Sequence, residues 1–352
     1  MKESFAEEDR AQPREEQPGH RAGFRVGGVS VQLASTDQAN VTLVPALEPF
    51  RDGVPDPDIK IQVEWAECLS SPLRKPLFDS GSVWRLYKDG DGFQFDFSAP
   101  LLLGEQPYKR LLVDRFFRRA ILQMSTECFA GTDYRACPLE YPLDELLIMH
   151  RLTQENAIEL HACGIVRPDG TGNLFVGHSG AGKSTTTRLW TEREDVEVLS
   201  DDRIIVRRDD VPHARTSVET PFEGAGDADK HEVLRLRENC ASRTSHFAQD
   251  DRKNLRMYGT PWHGEAAYAS PGSASLARIF ILEHGHGNVL TRLSPSQAVA
   301  ELFARSFVPF HHHEYVDAAL EFLEEVVDAV PCYRYAFEPN ASTVERILEF
   351  RD

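Results

Sequence analysis

The chain has 352 residues, of which 41% are hydrophobic and 27% charged, the balance of a globular protein long enough for two domains. A formal net charge of −17 argues against a nucleic-acid or anionic-membrane partner, because both demand a basic surface. Six cysteines form no C-x-x-C pair and suit neither a zinc site nor a disulfide framework, so a reducing, cytoplasmic location is expected.

Residues 1–23 are charged and proline-bearing, lack a signal-peptide apolar run, and are expected to be disordered. Phe24–Leu33, Val41–Val44 and Ile59–Trp65 read as strands. Val83–Tyr87 and Phe93–Phe97 alternate around Lys88-Asp-Gly-Asp-Gly92, a hairpin signal. The sequence therefore predicts a β-rich N-terminal domain over 24–105. Tyr108–Met124 has apolar residues at 111, 112, 116, 117, 121 and 122, near helical spacing. Its basic residues Arg115, Arg118 and Arg119 read as a solvated face. Pro142–Leu152 reads as a second helix, so 106–152 is expected to form bridging helices.

From 153 onward the pattern turns to α/β. Strands are expected at Ile158–Val166, Asn173–Val176, Val196–Leu199 and Ile204–Arg207, with a helix over Lys183–Thr191. Residues 209–251 are polar and read as an insertion. Further strands follow at Leu255–Tyr258, Ala277–Glu283, Val289–Leu293 and Cys332–Phe337. Ser294-Pro-Ser-Gln297 is a capping box that opens a helix. Helices at Tyr315–Ala329 and Ser342–Phe350 close the chain.

Three stretches carry chemistry. The first is Gly177-His-Ser-Gly-Ala-Gly-Lys-Ser184, which fills the phosphate-loop pattern G-x-x-x-x-G-K-[ST] between a strand and a helix. Backbone N–H groups over Gly177, His178, Ser179, Gly180, Ala181, Gly182 and on to Thr185 are suited to an anion, helped by the positive end of the helix dipole. Lys183 would reach the β- and γ-phosphates, and the Ser184 hydroxyl would ligate Mg²⁺. The second is Asp201-Asp202, following a buried strand, where one acid can serve Mg²⁺ and the other can deprotonate a hydroxyl. A solvated turn is the plainer alternative. His161, in an apolar strand, can orient such an acid. The third is the loop Gly259-Thr-Pro-Trp-His-Gly-Glu265, in which His263 and Glu265 are candidates for contacting an acceptor. His311-His-His313 reads poorly as a metal site, since consecutive side chains diverge. Trp190 reads as core.

The segments Glu159-Leu-His161, Gly177–Ser184 and Leu199-Ser-Asp201-Asp202 together resemble the C-terminal catalytic domain of HPr kinase/phosphorylase. The resemblance implies a phosphoenolpyruvate carboxykinase-like P-loop domain with a mixed β-sheet over 153–352. It implies ATP and Mg²⁺ as cofactors, Asp201 as general base, His161 bonded to that base, Lys183 on the phosphates, and Ser184 and Asp202 at the metal. The expected activity is transfer of the γ-phosphoryl group to a hydroxyl acceptor, serine in a protein, peptide or small molecule. A nucleotide-gated regulatory protein with slow ATPase activity is the alternative, and a carboxykinase activity the second. Homo-oligomerisation and the reverse reaction stay open.

Overall fold

A computed structural model describes residues 21–35, 41–129, 137–209 and 254–351. The expected disordered tail lies outside them except for Arg21–Gly23, which open a strand. The polar insertion lies outside them except for Asp209. The architecture is mixed α/β, with two mixed sheets and more strand than helix.

The first sheet comprises β1 (Arg21–Val26), β2 (Val29–Ser35), β3 (Ile59–Ala66), β4 (Phe78–Asp79), β5 (Trp84–Asp89) and β6 (Gly92–Ala99). A single turn, α1 (Pro100–Leu103), leads into β7 (Gly104–Val113) and β8 (Arg119–Ser125). Their order is β1-β2-β3-β8-β7-β6-β5-β4, with β3 parallel to both β2 and β8. Period-two burial drives it. Ile59, Ile61 and Val63 face the core from β3, as do Phe93, Phe95 and Phe97 from β6.

Two readings are corrected here. Val41–Val44 forms no strand, although Val41 and Leu43 are buried. Residues 106–125 of the expected bridging helices are the strands β7 and β8. The apolar positions fit a helix only when the two strands are read as one run. Leu111 and Val113 point inward from β7, and Ala120, Leu122 and Met124 from β8. Between them the Asp114 carboxylate accepts N–H bonds from Phe116, Arg118 and Arg119 and so closes a turn. Arg115 and Arg118 lie over the Phe116 ring in that turn.

Of the expected bridging helices α2 (Leu143–Leu152) remains, and it packs in the same core. The second sheet follows, from β9 (Ala157–Val166) and β10 (Thr171–Val176) through α3 (Lys183–Thr191), β11 (Glu197–Ser200) and β12 (Arg203–Arg208). After the insertion come β13 (Leu255–Gly259), β14 (Ser273–His284), β15 (Val289–Arg292), α4 (Pro295–Phe303), β16 (Ser306–Phe307), α5 (His313–Ala329), β17 (Cys332–Phe337) and α6 (Ser342–Glu349). The path β10-β9-β12-β13-β14-β17-β15 has an extra parallel pairing of β10 with β14.

Apolar clusters cover both faces of this sheet. One face carries Leu160, Leu174, Ile204 and Ile281 under α4 and α5. The other carries Phe175, Trp190, Phe280 and Tyr335. Trp190 is fully buried against Phe175, which bears out its reading as core. The two sheets share an interface, where Ile205 of β12 joins the first core and Arg207 donates to the Gly27 carbonyl at 3.1 Å. Among the described residues no helix is long and apolar enough to cross a membrane.

Candidate functional site

The glycine-rich stretch runs from the end of β10 into α3. Gly180 has φ +81° and Gly182, the cap of α3, has φ +103°, both left-handed values that glycine tolerates and other residues resist. A Cβ on Gly182 would stand 2.2 Å from the Phe337 ring. Gly182→Ala is therefore expected to distort the loop and lower the melting temperature by several degrees, readable by calorimetry. A melting temperature equal to wild type would mean that the loop does not need this conformation. His284 Nε2 lies 2.8 Å from the Gly180 carbonyl and holds the far side of the loop. The first intrahelical bond at this end is from Thr186 N–H to the Gly182 carbonyl, so the N–H groups of Lys183, Ser184 and Thr185 precede the ladder.

Lys183 is 5% exposed. Its Nζ donates to the Gly177 and His178 carbonyls at 3.0 and 3.2 Å and lies 3.6 Å from Asp202 Oδ1. Burial holds its ammonium below the ordinary lysine pKa, with Asp202 opposing.

Asp201 and Asp202 form the turn between β11 and β12, and their side chains part. Asp202 reaches the glycine loop. His161 Nε2 is 2.8 Å from its Oδ1, and the Arg203 guanidinium bonds its Oδ2. Burial alone would raise the Asp202 pKa. The His161 bond and the charges of Arg203 and Lys183 outweigh burial and hold the carboxyl below its usual range. Asp201 is fully buried and accepts backbone N–H bonds from Gly264 at 3.0 Å, Ala266 at 2.8 Å and Tyr268 at 3.3 Å. This differs from the expected pairing of His161 with Asp201. The acid that meets His161 and Lys183 is Asp202, and Asp201 anchors the loop that follows β13. The β9–β12 register accounts for it, since His161 pairs with Arg203 directly beside Asp202.

Three further residues complete the constellation. Arg203 Nε donates to Glu145 of α2 at 2.8 Å and lies 3.6 Å from Glu159, while its guanidinium covers the Phe307 ring at 4.2 Å. Glu159 has no exposure, and burial followed by the nearby Glu145 pushes its acid well above the ordinary range. Arg203 thus ties Asp202 to Glu145 of α2. A charged residue inside the apolar strand β9 was a visible signal for Glu159. Nothing local marks Glu145, which reaches the site only through tertiary packing.

The loop 259–265 lies against the acid pair. A Cβ on Gly264 would come within 3.1 Å of Asp202 Cβ. Thr260 Oγ1 donates to the Arg203 carbonyl at 2.8 Å. Trp262 is buried and donates Nε1–H to Asp144 of α2 at 3.0 Å. His263 and Glu265 are exposed at the rim. The contacts with the pair are made by the backbone around them.

His311 belongs to the packing between the sheets, 5.6 Å from Phe93 and 5.1 Å from His150. Among the described residues no group of three or more His, Cys, Asp or Glu side chains is arranged to hold a metal. Cavities of about 130 and 230 Å³ lie away from the glycine loop, one beside α2 and α5 and the other beside Tyr258 between the sheets. No family model and no curated protein matches the chain.

Proposed function

We propose that the chain is an ATP-dependent kinase on a phosphoenolpyruvate carboxykinase-like P-loop fold of the HPr kinase type. It transfers the γ-phosphoryl group to a hydroxyl, serine in a protein, peptide or small molecule. The observation that carries this reading is the convergence of Lys183 and His161 on one carboxylate, Asp202, at the mouth of the glycine loop.

The residues fit a nucleotide. A Cβ at Gly180 would meet nothing within 4 Å, so the outer face of the loop is open. The N–H groups at the start of α3 are suited to phosphate oxygens. A Mg²⁺ ion shared with phosphates needs only one or two protein oxygens. Ser184 would hold it, and the metal would supply charge neutralisation on the phosphates.

Each Asp202 oxygen accepts one close bond in this structure, and a carboxylate oxygen has a second lone pair for an acceptor hydroxyl. Asp202 takes the hydroxyl proton as that oxygen bonds the terminal phosphorus. The bond from this phosphorus to the bridging oxygen breaks, and ADP leaves with the electron pair. Lys183 offsets the charge on the transferring group. His161 fixes the orientation of Asp202, and Arg203 holds its other oxygen.

Lys183→Ala is expected to weaken ATP binding by about tenfold or more in calorimetric titration, because a charge-assisted phosphate contact is lost. Equal affinity in the two proteins would remove the phosphate-loop reading.

A further inference from the structure

The chain just beyond α4 carries a cluster that the transfer step does not use. Arg305 Nη1 donates to both the Glu301 backbone carbonyl, at 2.7 Å, and its carboxylate, at 2.5 Å. Arg334 Nη2 donates to the same carboxylate at 2.8 Å. Burial would raise the Glu301 acid, but these two guanidiniums, Arg334 before Arg305, bring it below its usual range. Arg334 Nε also lies 3.5 Å from the exposed Glu283. The Arg305 side chain is 10% exposed, and its Nε–H is buried without an acceptor. An orphaned donor on a buried guanidinium is unfavourable unless something accepts from it.

The cluster borders the candidate site. The Arg305 carbonyl accepts the His161 N–H at 2.8 Å, and two residues on the Phe307 ring is 5.9 Å from His161. From the other direction, Val176 pairs with Ile281 and Ile281 with Arg334. Arg334 therefore sits two strands across from the residue that enters the glycine loop. His178 of that loop is held below the ordinary histidine pKa first by the Arg305 charge, then by burial and by His161. The backbone joins the two through His161, whose N–H donates to Arg305 while its carbonyl accepts the Gly177 N–H at 3.1 Å.

We propose that Arg305, with Arg334 beside it, forms a second oxyanion subsite bordering the glycine loop that takes a phosphate group, Glu301 being the internal anion that holds both guanidiniums in its absence. This rests on the phosphate-binding reading of the glycine loop. The phosphate is either the terminal group of a bound nucleotide or a free phosphate ion. Guanidinium is suited to both through paired N–H donors. Glu301 competes with the phosphate for the same donors, which gives the two substitutions opposite signs.

The test is calorimetric titration of the full chain with ADP, with the non-hydrolysable triphosphate AMP-PNP, and with inorganic phosphate with and without ADP. Arg305→Gln is expected to bind ADP as wild type does and AMP-PNP about tenfold or more weakly. Glu301→Gln is expected to bind AMP-PNP several-fold more tightly, an effect that a merely structural ion pair would not produce. If Arg305→Gln loses only phosphate binding and keeps AMP-PNP, the subsite stands and its ligand is the free ion. If Arg305→Gln binds every probe as wild type does, the proposal is overturned. It is equally overturned if both variants lose affinity for all probes together with melting temperature. A wild-type chain that binds neither nucleotide removes the parent reading. In that case phosphate alone decides, with uptake that depends on Arg305 retaining the subsite and its absence ending it.

Discussion

Asparagine in place of Asp202 is expected to cut phosphoryl transfer by about 10²–10⁴-fold while leaving nucleotide affinity within a few-fold of wild type. The acceptor proton then has nowhere to go, and the His161 bond loses its anionic partner. Asp201→Asn is expected to act differently. Asp201 accepts three backbone N–H bonds from the 264–268 loop, and an amide has one oxygen where the carboxylate has two. That variant should melt lower and transfer more slowly, in proportion to its loosened loop. Single-turnover transfer and nucleotide titration, measured on both variants, separate the roles. If Asp202→Asn transferred at the wild-type rate and Asp201→Asn did not, the original order of roles would be restored.

The second large effect is on stability at mildly acid pH. His150 of α2 is buried with its ring stacked on Phe117 at 4.7 Å, edge-on to Phe95 at 5.4 Å and 5.1 Å from His311. Its Nδ1 is 2.6 Å from the Leu146 carbonyl. Burial, then the His311 charge, pushes its pKa down from 6.5 to about 3. His311 is pushed the same way, to about 4. A depressed folded pKa means that the stability is present above 6.5 and lost as the pH falls towards 3. Asp144 runs against this. Burial raises it from 3.8 to about 6, so its contribution is fully present below 3.8 and lost as the pH rises through 6.

Between pH 7 and pH 5, His150 alone should withdraw roughly 2 kcal/mol and Asp144 return roughly 1 kcal/mol. His311 adds to the loss, so the wild-type chain should be less stable at pH 5 by urea titration. His150→Gln cannot titrate there. It should be weaker than wild type at pH 7 through lost ring packing, yet change less between the two pH values. The same loss in variant and wild type would show that the histidine does not carry the pH dependence.

Much of the second sheet was legible before the structure, and the reasons are local. Lys183–Thr191 and Cys332–Phe337 occupy the expected spans, the first because a glycine turn starts it and the second because it alternates. Ser294 and Gln297 form the expected capping box. The failures lie where local signals are degenerate or distant. Two short strands around Asp114 reproduce a helical spacing over 108–124, so periodicity alone chose wrongly. Asp201 and Asp202 are consecutive turn residues, and only the pairing of Arg203 with His161 decides which of them faces the loop. Glu145 and Asp144 come to the site from a helix in the other core, through Arg203 and Trp262. No spacing within the second unit could have announced them.

The most direct measurement follows the label of γ-³²P-ATP during incubation with free serine, serine-containing peptides and a protein panel. The kinase account expects label on a hydroxyl of one of these acceptors over multiple turnovers, lost in Asp202→Asn and in Lys183→Ala. Label released only as inorganic phosphate, at a rate no acceptor changes, would contradict it and favour a nucleotide-gated protein.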